Sequence, residues 1–289
     1  MINIKSVMLY IAISKETKFR GLKWEKVGTE TIYKWSKRIK HDFNCDLHAS
    51  SEELRFLKPE YLRNKFGSKC ENTIIFILGD GGFLWHEDPY SDFGGELINT
   101  LNTWLKELNS ICIVVPGNHE NYKRIYSLSK VHLKKKNFEG DFREISPWIK
   151  YTERYGEYTF EGKSVLVLGG ARSLDKELRH EGEWFSDETF SIEEKDKIIS
   201  FIKDNEYDFV LSHTCPDYIV CQIFEDHHYR DSNSEFFDKV MNYIFPKAWY
   251  FGHFHPEKIQ GEWNFGNFDN LRINETEFKC LYKSIQDVV

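Results

Sequence analysis

The chain alternates between short, wholly apolar runs and longer stretches in which apolar residues recur every third or fourth position. Ile74-Ile75-Phe76-Ile77-Leu78 is apolar throughout, the mark of a strand buried on both faces. It stops at Gly79-Asp80-Gly81-Gly82, which places Asp80 at a strand's carboxyl end. Leu97, Ile98, Leu101, Trp104, Leu105 and Leu108 then fall on one side of a helix. A second buried strand, Ile111 to Val115, follows and ends at Pro116-Gly117-Asn118-His119-Glu120.

The same alternation continues toward the C-terminus. A hairpin turning at Glu161-Gly162 leads into strand Ser164 to Leu168, which opens into Gly169-Gly170-Ala171. Helix Ile192 to Ile202 precedes strand Phe209 to Ser212 and then His213. A helix near Phe236 to Ile244 precedes strand Ala248 to Phe251 and then Gly252-His253-Phe254-His255. Four of these five strands deliver Asp, Asn or His at their ends, and in α/β proteins the crevice beyond the carboxyl ends of strands is where sites assemble. The charged stretch from Lys130 to Tyr158 breaks the pattern and is expected to be a surface excursion. The segment after Lys258 is expected to be short strands and loops.

Composition adds bounds to this picture. The 289 residues include 23 Phe, 15 Tyr and 8 Trp, enough bulk for a large core and against disorder. No apolar run approaches the roughly 20 residues that cross a bilayer, and Val7 to Ile13 is too short for a leader with a cleavage site. Six scattered cysteines without a Cys-x-x-Cys pair point to a reduced, cytoplasmic protein with no membrane role.

Charge is unevenly spread. Residues 1 to 40 hold ten Lys and Arg against three Glu, a net +7, while the other 249 residues carry 29 basic and 43 acidic groups, a net -14. This N-terminal extension, with a strand near Val7 to Ile13 and a helix near Thr29 to Lys40, is either a solvated flank or a docking surface for an anionic partner. The main domain is expected from residue 41 to residue 289. Oligomeric state cannot be read from the sequence.

Each polar strand end has an ordinary explanation when taken alone. Gly-Asp is common in turns, Pro-Gly-Asn-His is frequent loop chemistry, and a single histidine can be a hydrogen-bonded core residue. Taken together in a chain with 11 histidines, the ordered series Gly-Asp, Gly-Asn-His-Glu, Ser-His and Gly-His-x-His resembles the calcineurin-like metallophosphoesterase family. The resemblance runs from about Asp46 to His255. It includes Gly169-Gly170-Ala171-Arg172-Ser173-Leu174-Asp175-Lys176, a segment found in bacterial and phage-type members.

The resemblance implies a four-layer α-β-β-α sandwich of two mixed β-sheets flanked by helices. It places the first motif, Asp-x-His, at Asp46-Leu47-His48, 34 positions before Asp80, although Cys45 and Ala49 stand where the family usually has glycine. A second alignment sets the family's first strand on Met8 to Ile13, where Lys15 and Glu16 fall at the matching positions and the first metal site is crippled. On the first alignment Asp46, His48, Asp80 and His255 hold one divalent ion, and Asp80, Asn118, His213 and His253 hold another, with Asp80 bridging.

Mixed imidazole and oxygen ligands suit Mn first and Fe, Zn or Ni as alternatives, and the lack of thiolates argues against a closed structural zinc site. The nucleophile implied is a hydroxide bridging the two ions. His119, next to a ligand without being one, is the expected catalytic donor to the leaving group. Lys176 and Arg179 are expected to bind the substrate phosphate, and Glu120 to support its loop.

A phosphate monoester, on a phosphoprotein or a small metabolite, is the preferred substrate because Gly-Asn-His-Glu resembles the protein-phosphatase form of the motif. The Arg that those phosphatases carry after Gly-Asp is missing from Gly81-Gly82-Phe83-Leu84-Trp85. A phosphodiesterase or nuclease would use the same metal centre, and a degenerate, non-catalytic binding module is the reading from another class.

Overall fold

Apolar β-branched and aromatic runs fit a pleated, buried surface, and in the computed structural model of the chain each such run is a strand. The structure describes residues 6–10, 54, 57–85, 92–135, 138–173, 176, 184–223, 231–254, 271–273, 276–280 and 286–287. β1 (Ser6–Tyr10), β2 (Thr73–Leu78) and β3 (Ile111–Val115) run parallel side by side. β4 (Ser129–Lys135), β5 (Phe138–Glu144), β6 (Ile149–Thr152) and β7 (Tyr155–Phe160) follow, joined by antiparallel pairings, with β6 parallel to β3. β8 (Lys163–Leu168), β9 (Phe209–Ser212) and β10 (Ala248–Phe251) form a second parallel set. β11 (Leu271–Ile273) and β12 (Thr276–Cys280) extend that set, while β13 (Gln286–Asp287) borders β1.

These strands make one curled, mixed sheet in the order β11-β12-β10-β9-β8-β7-β5-β6-β3-β2-β1-β13, with β4 on β5. Helices α1 (Pro59–Phe66), α2 (Asp92–Leu108), α3 (Tyr122–Ser127), α4 (Ile192–Ile202), α5 (Asp217–Ile223) and α6 (Ser232–Val240) pack on it. The chain is therefore a mixed α/β protein. The strands anticipated as two sheets run in one hydrogen-bonded path among the described residues.

Period-2 alternation assigns each strand face to a different apolar cluster. Ile75, Ile77, Cys112 and Val114 meet Leu97, Leu101, Leu105 and Leu108 of α2. The opposite faces of β2 and β3, with Phe76, Leu78, Ile113 and Val115, share a cluster with Val165, Val167, Leu211 and Tyr250 from β8, β9 and β10. The outer residues Leu168, Val210, Trp249 and Phe251 pack with Ile198, Ile202, Phe237 and Val240 from α4 and α6. The middle cluster holds the two parallel sets together and fixes how their ends meet.

The stretch from Lys130 to Tyr158 corrects the expectation of a surface excursion, because it supplies strands β4 to β7 that connect the two parallel sets. Its charges are paired: across β4 and β5, Lys134 Nζ lies 2.9 Å from Glu139 and His132 Nδ1 2.8 Å from Asp141, and Arg143 Nε of β5 lies 3.0 Å from Glu153 in the turn between β6 and β7. Behind them Phe138, Phe142 and Tyr158 are buried. Charge on one face masked the alternation that marks a strand. At the other ends of the chain, β1 matches part of the strand expected near Val7 to Ile13, whereas the helix expected at Thr29 to Lys40 lies outside the described residues.

One buried bond links the third cluster to the strand end carrying His213. Trp249 donates from Nε1 to Ser212 Oγ at 2.7 Å, and Ser212 donates in turn to the Thr214 carbonyl. Trp249→Phe keeps much of the ring volume but removes the donor. It should cost about 1–3 kcal/mol, the range for an unmade buried hydrogen bond, seen as a lower urea midpoint at unchanged slope.

Candidate metal centre

Parallel strands align their carboxyl ends, and the curl brings the ends of β2 and β3 against those of β8, β9 and β10. Gly170, after β8, donates across this meeting to the Pro116 carbonyl after β3 at 2.7 Å, and Gly252 ties the end of β10 to that of β9 by donating to the His213 carbonyl at 2.9 Å. Glycine at these ends is a spatial requirement. A Cβ on Gly79, which sits at φ +95°, would collide with the His213 ring, and one on Gly117 would collide with Asp80.

Into this seam the strand ends deliver Asp80, Asn118, His119, His213 and His253. One ligand atom from each of Asp80, His213 and His253 falls within 4.8 Å of the others. His213 Nε2 is 3.3 Å from Asp80 Oδ1 and 2.8 Å from Asn118 Oδ1. The His213 and His253 rings meet edge to face at 4.9 Å. Asp80 and His253 both take left-handed backbone conformations, φ 53° and 65°, which cost of order 1–3 kcal/mol each in a non-glycine residue. Both are among the residues that converge here.

The donor chemistry fits a cation. His213 Nδ1 lies 2.8 Å from the Leu78 carbonyl, and a carbonyl can only accept, so Nδ1 carries the hydrogen. The Nε2 of a neutral ring is then a lone pair aimed at two oxygen acceptors. Three electron-pair donors converging in a buried pocket repel one another unless a proton or a metal ion lies between them. Burial opposes charging His213, yet the Asp80 carboxylate and the Leu78 carbonyl outweigh it and raise the imidazole pKa above its ordinary value. A proton or a divalent ion between Nε2 and the two oxygens would relieve that repulsion.

The surrounding residues hold these groups in place. Glu120 is fully buried and accepts from the Gly117 N–H at 2.6 Å and the Gly82 N–H at 3.3 Å, tying the loops after β2 and β3 together. Burial and the nearby Asp80 carboxylate push its pKa up to about 7. The His119 N–H donates to Asp80 Oδ1 at 3.1 Å, its Nε2 stands 3.9 Å from Asp80 Oδ2, and its ring packs edge-on to Trp85 at 4.7 Å. His119 is therefore beside the donor cluster with its ring held by an apolar wall.

Asp80, Asn118, His213 and His253, predicted from strand ends, are brought together. Lys176 is exposed, with Nζ 3.8 Å from the Trp184 ring centroid. Asp46, His48, His255 and Arg179 lie outside the described residues. Trp85, Ser173 and Glu188 were not anticipated as site residues. Ser173 belongs to a quoted motif without an assigned role, and Glu188 carries no local sequence signal.

A mixed α/β fold thus gathers Asp80, Asn118, His213 and His253 at its strand ends, and Asp80, His213 and His253 stand close enough together to hold a metal ion. The profile of the calcineurin-like phosphoesterase family matches residues 46–257, and the chain belongs to that family. Among curated proteins, none matches the chain. No helix among the described residues is long and apolar enough to cross a membrane.

Gly117 offers a clean test of the geometry, because its φ is not in the left-handed region and alanine there is excluded by space alone. Gly117→Ala should displace Asp80 and weaken Mn²⁺ binding by about tenfold or more, as expected when ligand orientation is lost. Calorimetric titration of the variant at wild-type affinity would show that the packing around Asp80 does not matter.

Proposed function

We propose that the protein is a dinuclear-metal-dependent phosphoesterase that hydrolyses a phosphate monoester. The observation that carries this is the convergence of His213 Nε2, Asn118 Oδ1 and Asp80 Oδ1 on one buried point. Asp80, Asn118, His213 and His253 would hold one ion, and Asp46, His48 and His255 would complete a second around the shared Asp80. Such ions, Mn first and Fe, Zn or Ni as alternatives, would supply an activated water and neutralise charge on the phosphoryl oxygens. The two parallel strand sets are taken as the inner layers of an α-β-β-α sandwich, a reading supported by the cluster shared between them.

The chain's own groups then divide the work. His119 is held by its backbone bond to Asp80 and by Trp85, and donates a proton or hydrogen bond to the leaving-group oxygen. Lys176 and Arg179 add positive charge for the substrate phosphate. Cys70, Cys112 and Cys215 are buried free thiols, which suits a cytoplasmic protein. The basic stretch of residues 1–40 is proposed to dock an anionic partner, although β1 within it pairs with β2.

A second reading is favoured by β1 itself. It lies parallel to β2 over Ser6 to Tyr10, overlapping the Met8 to Ile13 stretch on which the alignment with Lys15 and Glu16 at the first motif sets the family's first strand. On that reading the cluster holds a single ion, and the protein is a reduced-capacity enzyme or a binding module.

Metal content, turnover and substrate preference separate these accounts. Elemental analysis of Mn-loaded protein should give about two ions per chain, falling to about one in Asp46→Asn, as the shared-ligand arrangement requires. One ion in both proteins supports the second reading. Turnover should be abolished by EDTA, and His119→Ala should lower it about 10²-fold or more at unchanged metal content. A panel of p-nitrophenyl phosphate, its bis ester, cyclic nucleotides and single-stranded DNA assigns the substrate class. Preference for the diesters or DNA overturns the monoester assignment and leaves a phosphodiesterase or nuclease.

A further inference from the structure

The Asn118 side chain can present either an oxygen or an amino group to the cluster, and only the oxygen can ligate a cation. Which one faces inward is decided two hydrogen bonds away from Asn118, at Glu188. Asn118 donates from Nδ2 to Ser173 Oγ at 2.9 Å, and Ser173 Oγ donates to Glu188 Oε2 at 2.6 Å. The Ser173 N–H donates to the other carboxylate oxygen, Glu188 Oε1, at 2.9 Å. Asn118, Ser173 and Glu188 are each 2% exposed, so water does not compete for these bonds.

A carboxylate has no hydrogen to give. Facing one, the Ser173 hydroxyl must donate, and its remaining capacity toward Asn118 is as an acceptor. The Asn118 amino group is thereby drawn to Ser173, and its Oδ1 is left facing His213 Nε2 at 2.8 Å. We propose that Glu188, acting through Ser173, is a positioning residue that sets the polarity of the Asn118 amide and so makes it a metal ligand. The proposal rests on the phosphoesterase reading to the extent that a divalent cation occupies the cluster.

The Gly169-Gly170-Ala171 turn gives the relay its geometry. A Cβ on Gly169 would stand 2.8 Å from the Pro116 carbonyl oxygen, and one on Gly170, at φ +82°, would collide with the Glu188 carbonyl. The two glycines let the end of β8 close simultaneously on the loop bearing Asn118 and on the backbone of Glu188. Ser173 is carried between them.

The relay predicts an effect that packing alone does not. In Glu188→Gln the carboxamide can donate to Ser173 Oγ, which frees the hydroxyl to donate toward Asn118. The amide then turns its oxygen to Ser173 and its amino group to the cluster. In Asn118→Asp both side-chain atoms are oxygens, so orientation no longer matters, and a donating Ser173 is the better partner. The penalty of Glu188→Gln should therefore vanish in the Asn118→Asp background.

Calorimetric titration with Mn²⁺ of the full chain tests this, with thermal melting of the metal-free variants as a control for folding. Glu188→Gln and Ser173→Ala should each weaken Mn²⁺ binding by about 10–100-fold, the usual range for loss of a partner behind a ligand. Asn118→Asp/Glu188→Gln should bind at least as tightly as Asn118→Asp. Should Glu188→Gln not fold, Ser173→Ala carries the test. If the single variants bind within about twofold of wild type, the scatter of uncoupled changes, or if the Glu188→Gln penalty persists beside Asn118→Asp, the relay is overturned while the metal centre stands. Wild-type protein that takes up no Mn²⁺ overturns both.

Discussion

One imidazole joins the two halves of this protein. His213 leaves the end of β9, donates from Nδ1 to the carbonyl that ends β2, and turns Nε2 toward the asparagine that follows β3. The contact exists only because Gly79 and Gly117 leave room for the ring and for Asp80 beside it. With Nδ1 committed to a carbonyl, Nε2 meets the facing oxygens favourably only through a proton or a metal ion. The glycines at the strand ends and the electrostatics of the cluster both serve to accommodate that ring. A metal ion drawn into the cluster would also tie β2, β3, β9 and β10 together, so its binding should stabilise the fold by mass action.

Around this clamp the polar groups are arranged by depth. Glu120 binds the Gly82 and Gly117 amides and so secures the two loops from below. Glu188 and Ser173 secure the third loop and the Asn118 amide. His119 stands at the side, braced by Trp85, with its ring nitrogen 3.9 Å from Asp80 and not hydrogen-bonded to it. Ligand candidates are thus held by buried acceptors, while the group assigned to proton donation rests against an apolar ring.

Much of this was legible in the chain. The runs at Ile74, Ile111, Phe209 and Ala248 are apolar almost throughout, so their burial and the position of the polar residue that ends each were plain. Asp80, Asn118, His213 and His253 could be found because a strand end is defined by adjacent residues. The strands between Lys130 and Tyr158 were not legible, because their exposed faces carry charges whose partners lie on neighbouring strands. Glu188 was hidden for a related reason. Its meaning comes from a serine 15 positions earlier and an asparagine 70 positions earlier, a relation made by folding.

The central claim is that His213 Nε2 belongs to a divalent-metal centre. Pulsed electron paramagnetic resonance of the Mn²⁺-loaded protein tests this directly, since an imidazole ligand imprints nitrogen modulation on the metal's spin echo. The account predicts bound Mn²⁺ with imidazole nitrogen modulation that weakens in His213→Ala. Bound Mn²⁺ without nitrogen modulation, or with modulation unchanged in that variant, would contradict it.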